Sequence, residues 1–145
     1  MEREIIRYEG CFVCGDKNPS GLNLRFFSDG RITRTRYTPS THHEGYKGIV
    51  HGGIVATIMD EVMIKAILAL DIRSVTASME FKFRAPAIVG EELHFEGEII
   101  SQKGRVIKTA GSAKTKDGRV IAEATAVYVR PSDELDHQLR QSIET

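Results

Sequence analysis

Gly48-Ile49-Val50-His51-Gly52-Gly53 runs without a break into an apolar stretch, residues 54–70, and the fold turns on how that join is read. Within 54–70 only Thr57, Asp60, Glu61 and Lys65 are polar, so the stretch predicts a helix apolar around most of its circumference. Such a helix is a core rod that other elements wrap. Glycine costs about 1 kcal/mol per interior helix position relative to alanine, so Gly52 and Gly53 are not there for propensity. They suit a sharp start with bare backbone N–H groups. Those groups have no internal partner and carry the positive end of the helix dipole, so a ligand oxygen can dock on them.

Outward from the helix, the strands are read by alternation. Val75, Ala77, Met79, Phe81 and Phe83 alternate with Thr76, Ser78, Glu80 and Lys82, which predicts a strand with one buried and one polar face. Pro86 and Gly90 interrupt it. A strand resumes over 93–100, Gln102-Lys103-Gly104 turns into 105–115, Lys116-Asp117-Gly118 turns into 119–129, and Pro131 ends the sheet. Before the helix, Leu22, Leu24 and Phe26 alternate with Asn23 and Arg25, Asp29-Gly30 turns, and 31–38 alternates again, which predicts a hairpin. A polar loop, 39–48, carries His42, His43 and Glu44 towards His51. The tail has Leu135, Leu139 and Ile143 four apart, a short C-terminal helix or a frayed end. A hairpin, one long buried helix and a run of antiparallel strands make an α+β fold in which one curved sheet wraps one helix.

The chain has 145 residues, 41% hydrophobic and 28% charged, enough for one core. It is read as a single domain, 1–145, with an irregular lead-in at 1–21 and a tail at 131–145. Lys plus Arg and Asp plus Glu both number 20, so no global field recruits nucleic acid or an anionic membrane, and neither is expected as a partner. The charged N-terminus, Met1-Glu2-Arg3-Glu4-Ile5-Ile6-Arg7, lacks the apolar run of a signal peptide, and the central helix is too polar to cross a bilayer. A cytoplasmic location is expected. Two cysteines, Cys11 and Cys14, make no disulfide framework, which agrees with a reducing compartment.

Asp60 carries the most chemical weight. Glu61 and Lys65 lie about 40° apart around the helix and form the favoured Glu-before-Lys pair, which leaves Asp60 without a local cation. A carboxylate on a mostly buried helix finds hydrogen bonds, sits at a solvent-filled interface, or works as a base or nucleophile. His51 either orients a substrate or caps the helix start with its ring on backbone; taken alone, capping is the simpler reading. In combination, N–H groups at Gly52 and Gly53 can polarise a carbonyl while a carboxylate two and a half turns on activates water. Thr57, on the Asp60 side, and Thr76, on the polar face of the next strand, can each hold that water or be plain solvated hydroxyls. The Cys11/Cys14 pair lacks a second Cys pair, and His42 and His43 complete a zinc site only by folding back, so no metal is expected. A redox Cys-x-x-Cys ordinarily opens a helix in a βαβ unit, a context this sequence does not offer.

The chain resembles the HGG-motif hotdog-fold acyl-CoA thioesterases, often called PaaI-like. The resemblance spans Cys11 to about Val129. It rests on Cys11-Phe12-Val13-Cys14-Gly15 with Asn18-Pro19 and Gly21-Leu22, on Gly48 to Gly53 with Asp60 nine residues after His51, and on Phe81-Lys82-Phe83-Arg84-Ala85-Pro86-Ala87. It implies a hotdog fold, a homodimer with one continuous sheet, often assembled further into a homotetramer, and a thioester bound at the dimer interface. His51 and the Gly52 N–H of one subunit would polarise the carbonyl, Asp60 of the other would be general base or nucleophile, and Thr76 would hold water. Gly53, Thr57, Glu61, Phe83 and Arg84 would line the substrate, with the pantetheine arm along the 76–86 strand. No cofactor is implied beyond the coenzyme A of the substrate. The upstream Asn or Gln of some relatives is replaced here by Glu44-Gly45-Tyr46-Lys47, and Ala85 interrupts the Arg-Pro-Ala signature.

Hotdog folds also house hydratases, but the Asp with a His five residues on that those enzymes use is absent, since Lys65 stands at that offset from Asp60. Thioester hydrolysis is therefore the first reading. A non-catalytic acyl-CoA or small-ligand binding protein is the second, and a structural dimer with a Cys-x-x-Cys metal clip the third.

Overall fold

The computed structural model describes residues 1–144. Seven strands form one antiparallel sheet: β1 (Arg3–Glu4), β2 (Phe27–Ser28), β3 (Ile32–Tyr37), β4 (Val75–Phe83), β5 (Leu93–Lys103), β6 (Val106–Thr115) and β7 (Val120–Val129). Their order across the curved sheet is β1-β2-β3-β5-β6-β7-β4. The long helix α1 (Gly52–Leu68) lies in the concave face, and a second helix, α2 (Asp133–Glu144), follows the last strand. No helix among the described residues is long and apolar enough to cross a membrane.

Shape explains why α1 sits so close. Its large side chains Ile58, Met59, Val62, Met63 and Ile67 are fully buried, each worth roughly 1.5–3 kcal/mol relative to exposure. The sheet beneath makes room with small residues. Gly97 and Gly111 face each other across β5 and β6, and a methyl group on Gly97 would lie 2.6 Å from the Val62 carbonyl oxygen. Ala122, Ala124 and Ala126 continue the shallow floor on β7. The rod is thus matched by a trough.

Four local expectations change. The helix covers Gly52–Leu68 rather than 54–70: His51 caps its start, and Asp71, at φ 60°, turns the chain out at its end. The 22–26 stretch forms no strand. Asn23 adopts φ 52°, and the neighbouring N–H groups of Leu22 and Leu24 bond to the Phe12 and Val13 carbonyls of the lead-in, which leaves Phe27–Ser28 as the short first arm of the hairpin. β5 runs on to Lys103 by absorbing a bulge between Ile99 and Ser101. The largest change is at β4, expected to bury one face: seven of its nine residues are exposed, Met79 at 39% and Phe83 at 53%. It is the outermost strand, paired on one side to β7, and α1 reaches it at Thr76 and Phe83. The opposite edge, β1, is only two charged residues long, a short protected edge of the kind that discourages pairing.

Candidate active site

α1 and β4 run in opposite directions, so two clusters form at opposite ends of one exposed strand. At one end, Gly52 sits beside the Phe83 ring. His51 holds the helix start: its Nδ1 accepts from Gly53 N–H at 2.9 Å, and its carbonyl accepts from Ile54 N–H. An accepting Nδ1 puts the ring proton on Nε2, leaving a donor free for a ligand. Of the first four N–H groups of α1, that of Gly52 has no acceptor among the described residues. The end opens into a cavity of about 730 Å³ walled by His51, Gly52, Tyr46, Phe83, Arg84 and Pro86. The loop before it is knitted shut. Glu44 accepts from Gly48 N–H, His51 N–H donates to the His43 carbonyl, and the His43 ring meets the Tyr37 hydroxyl at 2.6 Å.

At the other end stands Asp60, half-buried. Its Oδ1 accepts from the Tyr128 hydroxyl at 2.7 Å and the Thr76 hydroxyl at 3.2 Å. Its Oδ2 has no partner among the described residues. Burial, reinforced by the Asp60 charge, pushes the Tyr128 phenol far above its ordinary range, so it stays a donor. Two hydroxyls hold one carboxylate oxygen and leave the other for a proton.

Thr76 reaches this place by an irregularity that alternation does not reveal. A register shift between Thr76 and Ser78 sets Thr76 opposite Tyr128, while Met79, Phe81 and Phe83 lie opposite Ala126, Ala124 and Ala122. Ala77 is the extra residue. Thr76 therefore shares the inner side with the apolar residues it was expected to oppose. Thr57 donates to the Gly53 carbonyl at 2.7 Å, which commits its proton to the helix.

The sequence matches a family model, that of the thioesterase superfamily, over residues 47–122. The chain belongs to the thioesterase superfamily. Among solved structures of the superfamily, one thioesterase superfamily protein is 29% identical, with a TM-score of 0.76 over 83% of this chain and 60% of that chain. The PaaI protein of the Escherichia coli phenylacetic acid degradation operon is 14% identical, with a TM-score of 0.71 over 77% of this chain and 81% of that one. A hypothetical thioesterase of Streptococcus pneumoniae, crystallised with coenzyme A, is 18% identical, with a TM-score of 0.66 over 68% and 80%. A curated 3-hydroxyacyl-[acyl-carrier-protein] dehydratase, FabZ of Granulibacter bethesdensis, is 42% identical over 53 residues, 35% of this chain. The chain spans 31% of that dehydratase's length.

Against this superfamily fold, the expected site residues sort into three places. His51, Gly52, Phe83 and Arg84 share the large cavity, where Arg84 pairs loosely with Glu123 at 3.3 Å. Asp60 and Thr76 join at the far end of β4, with Tyr128, which the sequence reading missed. Its signal was available: an aromatic ending the Ala122, Ala124, Ala126 row must bury a hydroxyl beneath the helix, and a buried hydroxyl needs a partner. Glu61 turns away from both clusters, towards Cys11 at 4.0 Å and Lys65 at 3.8 Å. Lys65 is itself buried, its Nζ donating to the Ile6 carbonyl.

Proposed function

We propose that the chain hydrolyses acyl-CoA thioesters at a site shared between two copies. The observation that carries this reading is the arrangement of Asp60, with one oxygen clamped by Tyr128 and Thr76 and the other unpartnered, at the open edge of β4. Within one chain the carboxylate and the free Gly52 N–H are eight helical residues apart, roughly 12 Å along the axis. That is too far for one small reacting group. Antiparallel pairing of β4 with β4 of a second copy, centred on Glu80, sets Met79 across from Phe81 and, past the extra residue Ala77, Thr76 of one chain across from Phe83 of the other, all on the inner face. Asp60 then approaches the partner copy's helix start. The exposed, long, unprotected edge of β4 favours such pairing.

In the shared site the thioester carbonyl oxygen accepts from the Gly52 N–H, where the helix dipole favours developing negative charge. The His51 Nε2–H is a second donor. Asp60 acts as general base, taking a proton from water as the water oxygen attacks the carbonyl carbon, or as nucleophile on that carbon. The C–S bond then breaks and the coenzyme A sulfur leaves as a thiolate that is protonated; on the nucleophilic route water then cleaves the acyl–Asp60 anhydride to free the acid and restore the carboxylate. Arg84, at the cavity mouth, offers a cation to the phosphates of coenzyme A, and Phe83 a flat apolar surface to the pantetheine arm.

Two features of solved superfamily members support this reading. The Streptococcus pneumoniae protein was crystallised with coenzyme A. It was also crystallised as alanine variants of an aspartate and of a threonine sixteen residues further on, the interval that separates Asp60 from Thr76. The test is thiol release from a panel of short, long and aromatic acyl-CoAs. Hydrolysis that Asp60→Asn lowers by about 10²- to 10⁴-fold is expected. Tight coenzyme A ester binding without thiol release would make the chain a binding protein instead.

A further inference from the structure

A second cluster lies about 100° round α1 from Asp60, at the neighbouring Glu61, and takes no part in the proposed hydrolysis. The Sγ atoms of Cys11 and Cys14 and a carboxylate oxygen of Glu61 all lie within 4.8 Å of one another, with the Lys65 ammonium 3.8 Å from Glu61. The loop carrying the thiols is built to hold them. Gly15 N–H donates to the Cys11 carbonyl, Lys17 N–H to Glu9, and Asn18 braces Gly10 and Ser20. A methyl group on Gly15 would lie 2.4 Å from the Glu9 carbonyl oxygen, so the tight winding needs glycine there. The Cys14 N–H points at the Cys11 sulfur at 3.4 Å, supplying from a loop the kind of donor that a helix start usually provides.

The cluster opens into its own cavity of about 380 Å³, roofed by Leu139 and Ile143 of α2 and walled by Ile6, Ile64 and Leu68. Ser74 also lines it, buried, its hydroxyl without a partner among the described residues.

We propose that Cys11 and Cys14 form a thiol–disulfide exchange site for a small, uncharged organic disulfide, with Cys11 as nucleophile, Cys14 as resolving thiol and Glu61 as the acceptor of the Cys14 proton. Cys11 thiolate attacks one sulfur of R–S–S–R; that S–S bond breaks, a Cys11–S–S–R bond forms, and R–S⁻ leaves and takes a proton from solvent. Cys14 gives its proton to the Glu61 carboxylate and attacks the Cys11 sulfur. The Cys11–Cys14 disulfide forms, and the second R–S⁻ leaves with the proton from Glu61. Two electrons pass from the protein dithiol to the small disulfide.

The local electrostatics suit these roles. The Cys14 thiol, together with the Cys14 and Val13 N–H groups, holds Cys11 down at about 5 against the effect of burial, and the same pairing with burial pushes Cys14 up. Burial first, then the nearby Cys11 charge, raises Glu61 to about 7, where a carboxylate both takes and returns a proton near neutrality. Metal occupancy is the competing use of these three groups. The buried Lys65 ammonium argues against it, because a divalent ion would sit beside a fixed positive charge that already engages one of the three.

The test uses the full chain, reduced and then exposed to hydroxyethyl disulfide, with products read by mass spectrometry. An intramolecular Cys11–Cys14 disulfide is expected in the wild type. Cys14→Ser should trap a mixed disulfide on Cys11, and Cys11→Ser should form one on Cys14 at least roughly tenfold more slowly. Glu61→Gln should retain the first step and slow ring closure, with loss of its pH dependence near 7. Glutathione disulfide, charged and bulky, should react more slowly than hydroxyethyl disulfide. Circular dichroism confirms that each variant folds. Equal reactivity of the two thiols, ring closure indifferent to Glu61→Gln, or stoichiometric zinc in the purified wild type that protects both thiols would each overturn the proposal. None of these readouts depends on thioester hydrolysis.

Discussion

Asp60 and Glu61 are neighbours on one helix and differ by a single methylene, yet they stand in opposite environments. Asp60 faces β7 and the open edge of β4, where two hydroxyls clamp one oxygen. Glu61, about 100° further round, faces the lead-in loop, against two thiols and a buried ammonium. Residue type assigns neither role. The lesson is that one helix presents two carboxylates to two different surroundings, and that those surroundings, not residue type, set what each is proposed to do.

The comparison breaks most sharply if the two carboxylates matter equally for hydrolysis. Asp60→Asn is expected to lower kcat/KM for the preferred acyl-CoA by about 10²- to 10⁴-fold, the range for a positioned base. The loss from Glu61→Gln should be at least roughly tenfold smaller, because Glu61 lies on the other face. Thiol-release kinetics on both variants measure the ratio. Comparable losses would mean that the two faces are not chemically separate.

A smaller effect sharpens the Asp60 side. Tyr128→Phe removes the shorter of two bonds to Oδ1 and leaves Thr76. A hydrogen bond to a charged group contributes about 1.5–3 kcal/mol, so a fall in turnover of about tenfold is expected, together with a lower Tm. Turnover unchanged in a folded Tyr128→Phe protein would show that the clamp does not orient the base.

The smallest effect belongs to Glu61. Its carboxyl holds a proton more tightly in the folded chain, at about 7, than the ordinary value of 4.5. The native state therefore binds the extra proton between those values. Stability from this group is full below the ordinary glutamate range and is lost as pH rises to about 7. Glu61→Gln should flatten the fall in Tm across that window relative to the wild type. A thermal melt series at several pH values checks it, and parallel slopes for the two proteins would remove the burial argument for Glu61.

Much of this architecture was legible because it rests on patterns longer than a few residues. The run from Gly52 through Leu68 admits little but a buried helix, and the alternation in 75–83 and 120–129 admits little but strands. His51, Gly52 and Asp60 were readable as candidates because a histidine before two glycines marks the helix start and Asp60 lacks the local cation that Glu61 has in Lys65. What stayed hidden was set by single backbone events. One extra residue in β4 moved Thr76 to the inner side, and one positive φ at Asn23 cost the hairpin most of its first arm. Tyr128 was hidden for another reason: its partner lies 68 residues away in sequence, and only the meeting of β7 with α1 joins them. The Cys11, Cys14, Glu61 and Lys65 cluster was hidden in the same way, since the lead-in and the helix have no sequence relation that predicts their contact.

The central claim, that Asp60 of one copy works with Gly52 of another, has a direct test in mixing two damaged proteins. Gly52→Ala is expected to fold, because the added methyl meets the Phe83 ring at 3.7 Å, an ordinary contact, while it crowds the approach to the helix N–H. Asp60→Asn and Gly52→Ala are each expected to be nearly inactive. Unfolded together in equal amounts and refolded, they should form mixed dimers in which one of the two sites carries both native residues. Activity should return to about a quarter of the wild-type level, given random pairing of two interchangeable copies. Activity no higher than the average of the two variants alone would contradict a shared site.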